Sequence, residues 1–445
     1  MKKINIPIGA VTILKKLQNF GYEAYVVGGC VRDSLLGRVP KDFDITTNCL
    51  PEEVISIFES TCKVIPTGLK HGTVTILGDE GIPYEVTTFR IDGEYLDNRH
   101  PEKVQFTSSL KDDLSRRDFT INALAYNNEN GLIDCFGGVN DLKNKIIKCV
   151  GNASDRFNED ALRMLRAIRF QAELNFKLDK DISESIPNLS ENINDISIER
   201  IREEFNKIIF ADASKIKELS DLGLLKCFIP EFEICFRTKQ NNIYHVFNVA
   251  EHILCSINNI EDNLVLKLTM FFHDIGKPNC LSTDEKGVDH FYKHPKESVK
   301  IAKEILTRMK YDNKTIDRVL VLVEYHDMQI VSKKQIRRLL NKIGEDNLID
   351  LLKVKEADMK AQNLDFYDIR HNELEVVRTE INSILEEEQC FKLKDLKING
   401  NDLIKMGINP GKEVGIVLNT LLDRVLENPQ LNTREKLIEI SKTIN

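Results

Sequence analysis

Between residues 26 and 45 the chain reads VVGGCVRDSLLGRVPKDFDI, and this segment narrows the choice of fold more than any other. An apolar, β-branched run ends at Gly28-Gly29, a stretch of helical pattern carries Arg32, and Asp42 and Asp44 then stand two apart among apolar neighbours. In an extended strand residues i and i+2 project from the same face, so both carboxylates converge on one point. Two convergent carboxylates near a Gly-rich strand-to-helix turn suit magnesium-dependent transfer of a phosphoryl or nucleotidyl group. Carboxylate oxygens are the hard ligands Mg²⁺ prefers, and the free N–H groups that open a helix receive phosphate. An Asp-x-Asp alone is more often a solvated turn, and a Gly-Gly pair is at home in any strand-to-helix connection. Arg32 tips the reading toward a site, because its fork of donors reaches phosphate from one turn into the helix.

The first third of the chain alternates elements. AYVVGG, FDITT, CKVIP, GTVTIL and PYEVTTFR read as strands, with helices predicted at about 8–19, 31–37 and 51–60. Glu85, between Tyr84 and Val86, reads equally as a third carboxylate of the cluster and as an edge-strand residue facing water. Two ions about 3.5–4 Å apart lower the pKa of an attacking hydroxyl and neutralise a departing pyrophosphate. Residues 91–115 are polar and punctuated by Gly and Pro, and read as a long mobile loop. Beyond Arg116 the pattern is helical, apart from a short strand pair expected near 122–136. The expected fold is α+β: a head of mixed sheet and helices over 1–150, a helical neck over 151–240, a further helical domain over 241–370 and a helical tail over 371–445.

Composition excludes several classes. The chain has 445 residues, enough for about three domains, and is 42% apolar and 30% charged, as a soluble globular protein is. A net charge of −8 removes any global basic signature, so nucleic acid must be bound through local patches. Ten cysteines without a CxxC pair point to reduced thiols in a cytoplasm. The N-terminal segment is interrupted by Lys15-Lys16 and followed by no small-residue cleavage site, so it reads as an amphipathic helix. With no 18-residue apolar stretch, no membrane span is expected.

EDALRMLRAIRF, residues 159–170, offers a different chemistry. Asp160 and Arg163 are three apart on a predicted helix, which makes their side chains neighbours. Cytosine and adenine both show an amino donor beside a ring acceptor, which an Asp acceptor and an Arg donor fork complement. Uracil and guanine present a ring N–H and a carbonyl, and leave those buried groups unpaired. In an arbitrary helix the same pair is a surface ion pair worth under ~1 kcal/mol. Arg166 and Arg169 continue the stripe, suited to phosphate or an RNA end, or else to a solvated basic face.

These segments form a series: GG, VRDSLLGR and DFD, then RRDFTINALAY at 116–126, DCFGGVNDL at 134–142, EDALRMLRAIRF and SIERIREEF at 197–205. The series resembles the DNA polymerase β-type nucleotidyltransferases, specifically the bacterial-type (class II) branch of tRNA nucleotidyltransferases and poly(A) polymerases. The resemblance implies that Asp42 and Asp44 hold Mg²⁺. It further implies that Arg117, Asp118 and Asn122 surround the ribose and phosphates, with Asp118 favouring a 2′-hydroxyl, and that Asp160 and Arg163 template the incoming base. C-C-A addition to tRNA from CTP and ATP is then the leading activity. An A-adding enzyme or a poly(A) polymerase shares the same head. Segment 91–115 looks complete for C-C-A addition, although His100 stands where the family pattern more often has Arg.

A second series, His245, His273-Asp274, His294, His326 and Asp358, runs through LTMFFHDIGKP, YKHP, VEYHD and EADMKAQN. Imidazoles with carboxylates suit a divalent transition ion. These contexts resemble the HD phosphohydrolase superfamily, and so imply a divalent metal and hydrolysis of phosphomonoesters or 2′,3′-cyclic phosphates. An HD-derived body that hydrolyses nothing is the plain alternative, and an HD phosphohydrolase with an RNA-binding head is another. His71, His100, His252, His290 and His371 read as structural or surface residues. Finally, Gly407, Gly411 and Gly415 mark a helix–turn–helix in the tail. That segment resembles the tail of the same branch, which implies a grip on the tRNA elbow while the head takes the tRNA 3′ end.

Overall fold

The computed structural model describes residues 4–78, 81–92, 104–387 and 391–444, and falls into two compact units, Met1–Pro230 and Glu231–Asn445. The first unit begins with helix α1 (Ile8–Asn19), which buries Ala10, Ile13, Leu14 and Leu17 at helical spacing. Strand β1 (Ala24–Val27) is buried along its whole length, as a central strand must be. It ends at Gly28, whose φ of 80° lies in the left-handed region, and helix α2 (Gly29–Leu35) starts at the next residue. A Cβ on Gly28 would also stand 3.0 Å from Arg117 Nη1 and displace that guanidinium, while the backbone conformation itself favours glycine.

Strand β2 (Ile45–Thr47) and helix α3 (Pro51–Phe58) follow, then β3 (Lys63–Gly68), β4 (Thr73–Leu77) and β5 (Pro83–Thr88). With β8 (Leu124–Asn127) and β9 (Gly131–Asp134) they form a seven-stranded sheet of order β3-β4-β5-β2-β1-β8-β9. Only β2 and β5 run parallel among its pairs, so the sheet is mixed, as expected. The carboxylates depart slightly from expectation. Asp42 and Asp44 precede β2 instead of lying in it, but Val27 N–H donates to the Asp44 carbonyl at 3.0 Å and keeps the approach extended. Phe43 turns inward while Asp42 and Asp44 turn to solvent, so the two-residue alternation holds.

The described parts of segment 91–115 form regular elements. Strands β6 (Arg90–Asp92) and β7 (Val104–Phe106) pair antiparallel, and helix α4 (Leu110–Ser115) follows, its N-terminus capped by the Ser109 hydroxyl. The chain between β6 and β7, His100 included, lies outside the described residues. After β9 come α5 (Gly138–Asn144), α6 (Ala153–Glu159), α7 (Leu162–Leu174), α8 (Lys180–Leu189) and α9 (Ile198–Ala211). Helices α10 (Ile216–Asp221) and α11 (Leu225–Phe228) close the unit. Helix α7 is buried on nearly every side, arginines included, and its Phe170 packs edge-on against Phe119 at 5.7 Å.

The second unit is helical: α12 (Val249–Asn258), α13 (Leu264–Phe272), α14 (His294–Arg308), α15 (Asn313–Tyr325), α16 (Lys333–Ile343), α17 (Glu345–Lys360) and α18 (Tyr367–Glu386). Its tail holds α19 (Gly400–Lys405), α20 (Lys412–Glu427) and α21 (Arg434–Ser441) around a separate core that includes Leu403, Leu421, Val425 and Leu437. The expected helix–turn–helix is present, with Gly407 and Gly411 at positive φ in the turn and Gly415 inside α20. Arg337 of α16 donates to the carbonyls of Leu426 and Glu427, closing the C-terminal end of α20. Among the described residues no helix is long and apolar enough to cross a membrane.

Candidate active site and a second cluster of metal-ligating side chains

The parallel pairing of β2 with β5 sets Ile45 against Val86, so one step back along both strands Asp44 and Glu85 stand side by side. Glu85 therefore joins Asp42 and Asp44 on the open face. Partial burial, the Asp42 charge and, more weakly, Glu85 push the Asp44 carboxyl up to about 6 against the pull of Arg117. Carboxylates that hinder one another's ionisation form a site short of positive charge, and divalent cations supply it. That donor set fits Mg²⁺.

Arg117 lies beside Gly28, and its Nε is buried without a partner; its nearest counter-charge is Asp113 Oδ2, at 3.8 Å. Burial lowers its pKa from the usual guanidinium value. Arg32 Nη1 donates to Asn122 Oδ1 at 2.7 Å, Asn122 Nδ2 donates to Asp118 Oδ1 at 3.1 Å, and Arg166 grips Asp118 Oδ2 through Nε at 2.9 Å and Nη2 at 2.6 Å. Burial would raise the Asp118 carboxyl, but Arg166 and the Asn122 amide hold it well below the usual carboxylate range. The guanidinium carbons of Arg169, Arg32 and Arg166 lie 4.1, 5.0 and 5.5 Å from the centroid of the Phe170 ring. The expected residues from α2, the turn at 120–122 and α7 thus form one connected network.

The geometry of Asp160 differs from the expected helical pair. Asp160 sits in the break between α6 and α7 with φ −144°, and its Oδ1 accepts from Leu162 N–H at 3.0 Å. Its Oδ2 accepts from Arg200 at 2.8 Å, while Arg163 Nη1 pairs with Glu159 at 2.5 Å. Arg163 Nη2 also donates to the Arg116 carbonyl at 3.0 Å. The sequence reading missed Glu159 and Arg200 as the groups that hold this pair, although both lie in quoted motifs. Nor is the Arg166–Arg169 stripe an open basic face: Arg166 binds Asp118, and Arg169 lies 3.3 Å from Glu204.

In the second unit His252, His273, Asp274, His294, His326 and Asp358 converge. His252 was expected to be a structural or surface residue, yet its ring lies in this cluster, and His245 is the residue left outside. His245 Nε2 is 3.5 Å from Lys277 Nζ, and its ring meets that of His252 edge-on at 5.0 Å. The missed signal is spacing, since His252 falls on the inward face of α12 with Val249 and Ile253. Each Nδ1 of the four rings is bonded to a backbone carbonyl: His252 to Ala361, His273 to Met270, His294 to Phe291 and His326 to Val323. A carbonyl only accepts, so each Nδ1 carries a proton and each Nε2 points inward.

Those nitrogens face one another, His252 to His273 at 3.1 Å and His294 to His326 at 3.2 Å. Two ring nitrogens at this distance need a proton or a metal cation between them. Asp274 spans the pairs, Oδ2 lying 3.3 Å from both His252 and His273, and Oδ1 lying 3.1 Å from His294 and 3.5 Å from His326. Asp358 Oδ1 is 2.9 Å from His252. Burial opposes protonation of His273, but Asp274 and Asp358 push it up to about 10, again the mark of a site short of positive charge. The donor set fits a borderline divalent ion, which these side chains would hold.

Gly276 controls this geometry. A Cβ there would stand 2.5 Å from Ser298 N and 2.8 Å from the His294 carbonyl, both backbone atoms in the first turns of α14. Gly276→Ala is expected to push His294 away from His326 and to lower the metal content of purified protein by about half, as measured by plasma mass spectrometry. An unchanged content would mean that His294 is not a ligand.

Sequence comparison places this geometry in a family. The profile described as Poly A polymerase head domain matches residues 24–148, the RNA- and SrmB-binding site of polymerase A matches 175–235, and tRNA nucleotidyltransferase domain 2 matches 289–440. A CCA-adding enzyme of Ligilactobacillus salivarius is 34% identical over 438 residues, 98% of this chain and 96% of that one. The chain belongs to the CCA-adding enzyme family. Another member, from Leuconostoc mesenteroides, is 32% identical over 99% of this chain and 98% of its own. The crystal structure of the Bacillus stearothermophilus CCA-adding enzyme, in complex with CTP, superposes with a TM-score of 0.72 and 29% identity, over 98% of this chain and 97% of that one. The head is therefore of the polymerase β-type nucleotidyltransferase kind, and the protein is an enzyme of that class.

Proposed function

We propose that this CCA-adding family member transfers CMP, CMP and AMP from CTP and ATP to the 3′ end of tRNA. The observation that carries the reading is the convergence of Asp42, Asp44 and Glu85 beside Gly28-Gly29 and the unpartnered Nε of Arg117. Mg²⁺ held by Asp42 and Asp44 supplies Lewis-acid activation of the tRNA 3′-hydroxyl and charge neutralisation at the departing pyrophosphate. The chain's own residues do the positioning. Backbone N–H groups at the start of α2 and the Arg117 guanidinium receive triphosphate oxygens. The Arg32–Asn122–Asp118–Arg166 network holds the ribose side of the site, with Asp118 ionised and able to accept from a 2′-hydroxyl.

Asp160 and Arg163 act as the template. Asp160 accepts from the amino group of cytosine or adenine, and Arg163 donates to the neighbouring ring nitrogen. Glu159 and Arg200 fix the two side chains, so the choice of base is made by groups already in place. Asp160→Ala with Arg163→Ala is expected to erase at least about 10²-fold of the preference for CTP over UTP. Competition between labelled CTP and UTP measures it, and a preference kept intact assigns base choice elsewhere. The helical tail contacts the tRNA elbow through shape and backbone. Ten cysteines without a CxxC pair support a cytoplasmic location. A poly(A) polymerase or A-adding enzyme shares the head but would add ATP without prior CTP.

The second cluster supports a second reading beside the first. Four inward imidazole nitrogens around a spanning carboxylate favour a metal centre like that of HD phosphohydrolases, acting on phosphate esters. Its ligands are His252, His273, Asp274, His294, His326 and Asp358, with Lys277 Nζ 2.6 Å from Asp274 Oδ2 as a neighbouring cation. Dialysis against Mn²⁺ followed by metal analysis tests it: the reading requires retained metal, and a metal-free protein contradicts it.

A further inference from the structure

One buried carboxylate beside Arg117 belongs neither to the Asp42–Asp44–Glu85 set nor to the network around Asp118. Asp113, on α4, is fully buried. A carboxylate without exposed surface meets neither Mg²⁺ nor nucleotide, so its work is done through its partners. These come from four points of the chain. Oδ1 accepts from Arg116 through Nη2 at 2.7 Å and Nε at 3.0 Å, and from the Arg90 N–H, at the start of β6, at 3.4 Å. Oδ2 accepts from the Thr46 hydroxyl at 3.1 Å and lies 3.8 Å from Arg117 Nη2.

The two contacts of Oδ2 belong together. Thr46 follows Asp44 by two residues on extended chain and so shares its face. One oxygen therefore ties the strand that continues from the carboxylate pair to the arginine beside Gly28. The two arginines are held differently. Arg116 is fixed by short hydrogen bonds, whereas 3.8 Å is too long for one, so charge holds Arg117 without using up a donor. Two other carboxylates, Asp44 and Asp118, also attract the Arg117 guanidinium. Asp118 is already engaged by Arg166 and Asn122. Asp44 is not, and an Arg117 released from Asp113 would be drawn toward it, into the place of a metal ion.

We propose that Asp113 is a positioning residue for nucleotidyl transfer, holding Arg117 at the triphosphate and away from Asp44. The proposal rests on reading Asp42, Asp44 and Arg117 as the nucleotide site. It adds to that site a residue that touches neither metal nor nucleotide, yet keeps a protein cation from competing with the ion.

The test is a double-variant cycle on the full chain, read as calorimetric affinity for CTP with Mg²⁺ and without tRNA. Asp113→Asn is expected to weaken CTP about tenfold or more, and to raise the Mg²⁺ needed for half-maximal binding by a similar factor. Arg117→Met is expected to weaken CTP at least as much. Adding Asp113→Asn to Arg117→Met is expected to cost less than about a further twofold. Equal losses in both backgrounds would mean that Asp113 only supports the fold, and would overturn the proposal. Asp113→Asn leaves two buried arginines short of counter-charge and puts folding at risk. Thr46→Val accompanies it for that reason: it keeps shape and charge, and removes the hydroxyl that anchors Oδ2 and also meets the Thr87 carbonyl. It is expected to weaken CTP about threefold in the wild type and not at all beside Arg117→Met. No change in the wild type would also overturn the proposal. An Arg117→Met variant that binds CTP as the wild type does would overturn the nucleotide site itself, and the role of Asp113 with it.

Discussion

Asp44→Asn is expected to lower CMP incorporation into tRNA by about 10³-fold or more while leaving the chain folded. The reason is geometric. Asp44 is held beside Glu85 by the β2–β5 register and beside Asp42 by strand alternation, so its loss opens the centre of the carboxylate set. The amide keeps the shape but offers no anionic oxygen. Stability should move the other way, and with pH. The folded-state carboxyl is raised to about 6 from 3.8, so the native chain binds the extra proton between those values. Stability from this group is complete below about 4 and is lost as pH rises through 6. The variant, which has no such group, should therefore gain thermal stability relative to wild type above pH 6 and match it near pH 4. Melting curves at both values in metal-free buffer check the sign, and an advantage confined to acid would contradict it.

The second large effect is expected at Asp274. Its two oxygens serve different histidine pairs, so one substitution disturbs both. Asp274→Asn leaves one carbonyl oxygen and one NH₂ group, which has no lone pair to offer an ion. Metal affinity should fall by about 10²-fold or more. His252→Ala should reproduce much of that loss, whereas His245→Ala should leave the metal content at the wild-type level. Metal analysis of the three variants separates the ligand set proposed from the geometry from the one the sequence suggested. Loss with His245→Ala and retention with His252→Ala would restore the latter.

The contrast between His245 and His252 shows where sequence reading reached its limit. Strands β1 to β5 and helices α1 to α3 lie close to their predicted positions, because the residues that set each of them are adjacent in sequence. The carboxylate set was legible for the same reason. Choosing between His245, in the turn before α12, and His252, on the helix, required knowing which face of α12 turns inward, and that is decided by α13 and α17 packing against it. Asp160 was misplaced on a continuous helix because EDALRMLRAIRF has no Gly or Pro to mark a break. The break is held by Asp160 itself, which accepts from Leu162 N–H, and by Arg200 from α9. Arg166 and Arg169 looked like an open stripe because their partners, Asp118 and Glu204, are 48 and 35 residues away. Segment 91–115 read as loop because β6 and β7 are three residues each, too short for a period to show.

The most direct test of the central claim is to supply [α-³²P]CTP and [α-³²P]ATP with Mg²⁺ to tRNA transcripts lacking one, two or three 3′-terminal nucleotides. The account predicts C, C and A added in that order and a stop at full length. ATP incorporation that proceeds without CTP, or no incorporation by a folded chain, would contradict it.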